Sequence, residues 1–253
     1  MTRHQKFGFF ILLIIVMAGL GLRFVLRTRA PILQENELIA SLDQLFLLSH
    51  SMDEEEKGEK VDRVHMVKIA NQIEKTIRAS GTNAIPILLK LLTVPGEEWK
   101  ANFAFSVLGP TAKPAVPALV EMLKSKNPDV RLAVVYSLGS IGPAAADAVP
   151  ALIEHVYDNN LYVKINTRHT LSSIHAQSEK VVPLLIESLN ELHRTNDSYV
   201  ASIIALGKFG NEAKTAFPTV LQFLNDTNLA VRALAADALK SIDSEAATKA
   251  GVK

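Results

Sequence analysis

The chain has 253 residues, seven histidines and no cysteine, so imidazole and carboxylate are the groups from which a metal centre or a general base would have to be built. No His-Glu-x-x-His pair occurs. His169 and His175 share one helical stretch, but six residues turn a helix by roughly 600°, which leaves the two rings on different faces. In Asp53-Glu54-Glu55-Glu56 four consecutive carboxylates cannot converge on one ion from a single helix face, and the run reads as a solvated hinge. Ser172-Ser173 lacks the Gly-x-Ser-x-Gly elbow of a hydrolase nucleophile, and Gly139 and Gly142 belong to a helix end instead of a phosphate loop. Trp99, Tyr136, Tyr157, Tyr162 and Tyr199 are candidates for an aromatic pocket, against which stands the reading of aromatics at helical spacing as core. The absence of cysteine removes disulfides, thiolate nucleophiles, cysteine-ligated zinc and lipoprotein acylation. No catalytic, cofactor-binding or metal-binding residue is assigned, no cofactor is expected, and the expectation is that the protein is not an enzyme.

The elements that would position any site come from a repeat. Val116-Pro117-Ala118-Leu119-Val120-Glu121 returns as Val149-Pro150-Ala151-Leu152-Ile153-Glu154, with looser copies at Ile85-Pro86, Val182-Pro183 and Phe217-Pro218. From Pro86 through Pro117, Pro150 and Pro183 to Pro218 the steps are 31, 33, 33 and 35 residues. A period of this length marks a stacked array in which each unit buries its apolar face against its neighbours. Within a unit, a first helix such as Asn127 to Gly142 has an Asn to cap it, a Pro at its first turn and a Gly to stop it. The repeated proline then opens the second helix. Small residues at Gly109, Gly139, Ser172 and Gly207 are expected to let the paired helices approach closely.

Ahead of the array, Phe7 to Leu22 is an unbroken apolar or glycine run between Arg3, Lys6 and Arg23. Carried on through Leu26, with Arg23 reaching the headgroups, it matches a hydrocarbon core of roughly 30 Å. Phe7, Phe9, Phe10, Ile11, Leu12, Leu13, Ile14, Ile15 and Val16 form the body of this expected transmembrane anchor. A cleaved signal peptide is the alternative, with Gly19-Leu20-Gly21 as its best cleavage site. Arg3 and Lys6 face Arg23, Arg27 and Arg29 across the span; the short basic N-tail resembles a signal-anchor flank and would set the solenoid outside the cytoplasm. Leu38, Leu42, Leu45 and Phe46 then mark an amphipathic helix. The expected organisation is an anchor with basic flanks over 1–29, an amphipathic helix and charged hinge over 30–58, a solenoid over 59–243 and a flexible tail over 244–253. The formal charge of +1 conceals a division: the five basic residues ahead of Glu35 leave 22 basic against 26 acidic residues beyond them, and such a mildly acidic part is not a nucleic-acid binder.

Asp129-Val130-Arg131, followed by Leu138-Gly139-x-Ile141-Gly142 and Val149-Pro150-Ala151-Leu152, resembles the short HEAT repeat of the phycobilisome-lyase type over about residues 60 to 242. The resemblance implies an all-α fold, a right-handed α-solenoid of about five helix-pair HEAT-like repeats, preceded here by one N-terminal transmembrane helix. It also implies a ladder of Asp and Arg tying adjacent units, in which Arg131 and Arg232 match, Lys164 substitutes and Ala201 departs. Family members include lyases and iron-binding hydroxylases, but the paired His-Glu motifs of the hydroxylases are missing here, and fold kinship alone carries no activity over.

The function expected is a single-pass, membrane-anchored protein–protein interaction scaffold or adaptor that contacts lipid through its N-terminal helix and a protein or peptide through its solenoid. The competing class is a lyase-like or chaperone-like enzyme, or enzyme subunit, acting on a chromophore or a modified protein. Four residues after each repeat proline stand Lys90, Glu121, Glu154, Glu187 and Gln222, expected to stack along one outward line. Glu121, Glu154 and Glu187, with His155 and Glu191 nearby, are the candidate partner-binding ridge.

Overall fold

The structure, a computed structural model, describes residues 37–44, 63–190 and 198–252. The expected anchor from Phe7 to Val16, the hinge from Asp53 to Lys60 and Glu191 lie outside the described residues. All regular structure among the described residues is helical. The chain divides into two compact units, Met1–Ala84 and Ile85–Lys253, a division that falls inside the stretch expected as one solenoid.

In the first unit, α1 covers residues 37–44 and buries Leu38 and Leu42, the i, i+4 pair of the apolar stripe. Helix α2 (Arg63–Ser80) buries Ile73 and Ile77 and stops at Gly81, whose φ of 52° is the left-handed conformation that ends helices.

The second unit holds α3 (Ile85–Leu91), α4 (Glu98–Leu108), α5 (Val116–Met122), α6 (Pro128–Ile141), α7 (Val149–Glu154), α8 (Leu161–Ile174), α9 (Ser178–Asn190), α10 (Ser198–Phe209), α11 (Phe217–Leu221), α12 (Leu229–Ile242) and α13 (Ser244–Lys249). Helices α4, α6, α8, α10 and α12 form a row in which each packs on the next. Helices α5, α7, α9 and α11 each pack on the first helix of the following repeat. Leu138, Leu171, Leu206 and Leu239 of the row and Leu119, Leu152, Leu185 and Val220 of this layer are all fully buried. Each such side chain contributes about 1.5–3 kcal/mol on burial. The result is an all-helical repeat solenoid.

The helix starts follow from side-chain caps. Asn127 Oδ1 accepts the Asp129 N–H at 2.9 Å, Asn160 Oδ1 those of Tyr162 and Val163, and Asn228 Oδ1 that of Ala230. After α4, α6 and α10 the chain turns through seven-residue 3-10 segments that open on Gly109, Gly142 and Gly210. Gly142 has φ 66°, a backbone state that suits glycine.

Three expectations need correction. Pro183 does not open its helix: α9 begins at Ser178 and holds Pro183 inside. No glycine follows α8, so the chain leaves it through left-handed His175 and Gln177 and begins α-helical bonding early, with the Val181 N–H on Gln177 O at 3.0 Å. Secondly, the segment expected as a tail from residue 244 forms α13, because Asp243 Oδ1 accepts the Ala246 N–H and Ala247 packs away from solvent. Thirdly, the small residues serve neighbouring repeats, not helix pairs. A Cβ on Gly139 would lie 2.9 Å from Thr170 Oγ1, and one on Gly207 would lie 3.1 Å from Ala238 Cα. Gly109 is not their equivalent but that of Gly142, the residue that closes the helix.

Candidate interaction surface

The second helices present the three glutamates of the expected ridge, Glu121, Glu154 and Glu187, to solvent. Their buried positions face the first-helix row, so the residue four beyond each proline points away from it. Lys90, Glu121, Glu154, Glu187 and Gln222 are all exposed. Glu121 is paired with Lys124 at 2.8 Å, both side chains being about 70% exposed, so solvent screens this pair heavily. His155 is turned inward instead. Its Nδ1 lies 3.0 Å from Ala151 O and its Nε2 3.0 Å from Leu123 O, which makes the imidazole a tie between the ends of α5 and α7.

Beneath the ridge runs a second set of polar contacts that fixes repeat to repeat. Arg131 Nε and Nη2 donate to the two oxygens of Asp158 at 2.8 and 2.7 Å, a bidentate pair with side-chain exposures of 14% and 6%. Nη1 of the same residue donates to Ser125 O, as Arg232 Nη1 does to Asp226 O. Asp158 Oδ1 also accepts the Asn160 N–H, and Asp226 Oδ1 the Asn228 N–H. Burial raises the Asp158 carboxyl, but the Arg131 hydrogen bonds and charge outweigh it, with the Asn160 N–H and the charge of His155 adding, and hold it below the ordinary carboxylate value. One rung of the expected ladder is present, Arg131 on Asp158 and not on the motif's Asp129, whereas Arg232 at the matching position donates to backbone carbonyls. Asp129 is exposed. Counted back equally from the closing residues Gly142, His175, Gly210 and Asp243, the ladder position holds Arg131, Lys164, Tyr199 and Arg232. Tyr199, not Ala201, is the departure; Ala201 is buried and Tyr199 stacks on Phe223 at 5.8 Å.

The residues singled out for chemistry scatter. His169 is half-buried, and burial together with the charge of Lys208 pushes it below the usual histidine value. His175 is exposed at a helix end, stacked on Phe209 and 3.1 Å from Glu212 Oε1. Ser172 and Ser173 both donate to His169 O, the back-bonding of ordinary helical serines. Among the described residues no three of His, Asp and Glu come together as a metal site would need. Of the five aromatics, Trp99 and Tyr136 line one groove of about 390 Å³ between α4 and α6, while Tyr157 and Tyr162 lie elsewhere on the surface. Arg168 was missed: it is fully buried, with Nη2 3.3 Å from Val156 O. Asp158 was missed too, although Asp-x-Asn at residues 158–160 and again at 226–228 was a readable signal.

A row of stacked helix pairs with exposed charge on one layer and capped polar ties between units defines an α-helical repeat protein. The chain belongs to the HEAT-repeat family: the model described as HEAT repeats matches residues 85–172, 116–200 and 182–250. No curated protein sequence matches it significantly. Among solved structures it is similar to two engineered proteins from the Northeast Structural Genomics Consortium. One is 20% identical with a TM-score of 0.50, covering 68% of this chain and 84% of that one. The other is 22% identical with a TM-score of 0.53, covering 72% and 54%. A third, described as a computationally designed armadillo repeat protein for modular peptide recognition, is 17% identical with a TM-score of 0.48, covering 82% and 99%. At such identities the likeness concerns the fold alone.

Proposed function

We propose that this chain is a membrane-anchored interaction scaffold of the short, phycobilisome-lyase-type HEAT class, which holds a protein or peptide partner against its second-helix layer. The observation that carries this reading is the exposure of all five residues four beyond the repeat prolines, glutamate at three successive units, on helices whose opposite side is locked into the core. On this reading Glu121, Glu154 and Glu187, one per repeat, act together on an approaching basic segment as an acidic field, screened beyond about 8 Å at physiological salt. Such a field sets encounter rate and register more than total affinity. The apolar run from Phe7 to Leu22 keeps the solenoid at a membrane, on its extracytoplasmic side.

The test is capture of partners from solubilised membranes with the full chain and with Glu121, Glu154 and Glu187 all changed to Lys. Reversal should slow association at low salt and flatten its salt dependence; an unchanged rate removes the ridge from binding. Separately, the full chain should resist alkaline carbonate extraction, and Ile14→Asp should release it, since a carboxylate at the bilayer centre costs about 2.5–3.5 kcal/mol on insertion scales. A mature N-terminus near Leu22 would establish cleavage in place of an anchor.

A further inference from the structure

We infer that the groove between α4 and α6 is a binding site for a cationic side chain, arginine above all, of a basic peptide segment in a partner protein. Its lining includes Trp99 and Tyr136, 38% and 46% exposed, together with Leu132, Asn102 and the carboxylates of Glu98 and Asp129. Both acids sit in the first turn of their helices, where the helix dipole favours a carboxylate. That placement accounts for the acids but not for an indole and a phenol left half in water beside them. Large aromatic faces next to unneutralised carboxylates form the environment that attracts a guanidinium, by cation–π contact and by charge together. Glu98 and Asp129 form no ion pair among the described residues, and no Lys or Arg lines the groove. Lys100, which does not line the groove, has its Nζ over the Trp99 ring at 5.9 Å from the centroid and is paired with Glu97.

The comparable groove further along the same row, between α10 and α12, shows that this chemistry is not generic to the repeat. It holds about 290 Å³ and is lined by Ile204, Leu234 and Gly207 with one Lys208 and one Asp237, but by no aromatic residue. The α4–α6 groove thus combines a volume suited to one long side chain with a net negative lining and two π faces. It lies on the first-helix row, whereas the ridge lies on the second helices. The inference rests on the reading of the solenoid as an interaction surface, but it can fail without that reading failing.

Trp99 is the chain's one tryptophan, so its emission reports the groove directly. The full chain in detergent is titrated with N-acetyl-Leu-Arg-Leu amide and with its citrulline counterpart, which keeps shape and hydrogen bonding but lacks the charge. The arginine peptide should change Trp99 emission saturably and the citrulline peptide at least about tenfold more weakly, with a similar loss in E98Q/D129N or in Tyr136→Ala at unchanged helical circular dichroism. Equal response to both peptides, no response, or no loss in these variants overturns the proposal. Two other occupants would also overturn it. Emission that shifts on Arg23, Arg27 and Arg29→Gln in the absence of peptide would make the chain's own N-terminal segment the ligand. Emission that depends on protein concentration, with dimers in sedimentation, would make it a second copy. The triple ridge reversal to Lys should leave the Trp99 response in place; loss of partner capture in that variant, with no peptide response in the parent, discards the groove and keeps the scaffold.

Discussion

The junction between α6 and α8 and the junction between α10 and α12 share one backbone register and are held by different chemistry. At the first, Arg131 clamps Asp158 and Thr170 Oγ1 donates to Val135 O at 3.0 Å. At the second, Gly207 sits against Ala238 and Tyr199 lies on Phe223; the ion pair there, Lys214 to Asp243 at 3.5 Å, is part-exposed, and Asp226 forms none among the described residues. A solenoid needs each unit to fit the next in shape, and either close apolar contact or a buried polar tie supplies that fit. The buried tie depends on pH and on the intactness of both partners more than the part-exposed Lys214–Asp243 pair does, because solvent screens the latter.

The largest effect should follow from breaking the tie on one side. Asp158→Ala leaves the Arg131 guanidinium, 14% exposed, without its carboxylate, and should cost about 3 kcal/mol in urea unfolding. Replacing both, Arg131→Met with Asp158→Leu, should recover most of that loss, because an apolar pair of similar volume avoids the desolvation of two charges. If the double variant is as unstable as the single one, the junction depends on the ion pair itself. Next comes Gly207→Ala, whose new Cβ would meet Ala238 backbone at 3.1 Å. Backbone cannot turn aside, so a cost of about 1–2 kcal/mol is expected. Gly139→Ala should cost a similar amount, since its Cβ would lie 2.9 Å from the buried Thr170 hydroxyl and displace its hydrogen bond to Val135 O. A clearly smaller cost at Gly139 would mean that the polar junction yields more easily than the close-packed one.

The pH response should separate the junctions further. The Asp158 carboxyl is held below its ordinary value of 3.8 in the folded chain, so its stabilising contribution is present in full above that value. It is lost as pH falls through 3.8 and on toward the lower folded value. The urea midpoint of the parent should therefore drop more steeply below about pH 4 than that of the Arg131→Met, Asp158→Leu variant. Exposed Glu212 and half-buried Asp243, also held low, act equally in both proteins and cancel from the comparison.

How far these differences could be read in advance depended on the kind of signal. The repeat prolines, Asn127 and the leucines at 138, 171, 206 and 239 announced the fold, because period and capping are local properties of sequence. Exposure of the ridge followed from helical periodicity in the same way. What stayed hidden were pairings across repeats: the recurring Asp-x-Asn marks Asp158, but it lies 27 residues beyond Arg131, in a loop, and nothing in the sequence marks Arg131 as its partner. The register of α10 was misjudged at the departure from the ladder because the step from Pro183 to Pro218 is two residues longer than its predecessor, and only the buried faces of Ala205, Leu206 and Phe209 fix where the extra residues fall. The groove between Trp99 and Tyr136 was half legible: their types were noted, but adjacency across two helices is a property of packing.

That register is open to the most delicate test. Tyr199 occupies the place of Arg131, and Asp226 stands with respect to it much as Asp158 does to Arg131, so Tyr199→Arg should create at the apolar junction the tie that nature placed at the polar one. The net change should lie within about 1 kcal/mol of zero, because stacking on Phe223, worth about 0.5–1.5 kcal/mol, is exchanged for a partly exposed ion pair. The informative quantity is the coupling: combined with Asp226→Asn, Tyr199→Arg should lose whatever it gained, and the coupling should shrink with added salt. If coupling is absent from that cycle, Tyr199 does not hold the ladder position. Ala201→Arg serves as the control. Ala201 is 1% exposed, so an arginine there has no acceptor to reach and should unfold the repeat, whereas an Ala201→Arg protein that stays folded with salt-sensitive coupling to Asp226 would restore Ala201 as the ladder position.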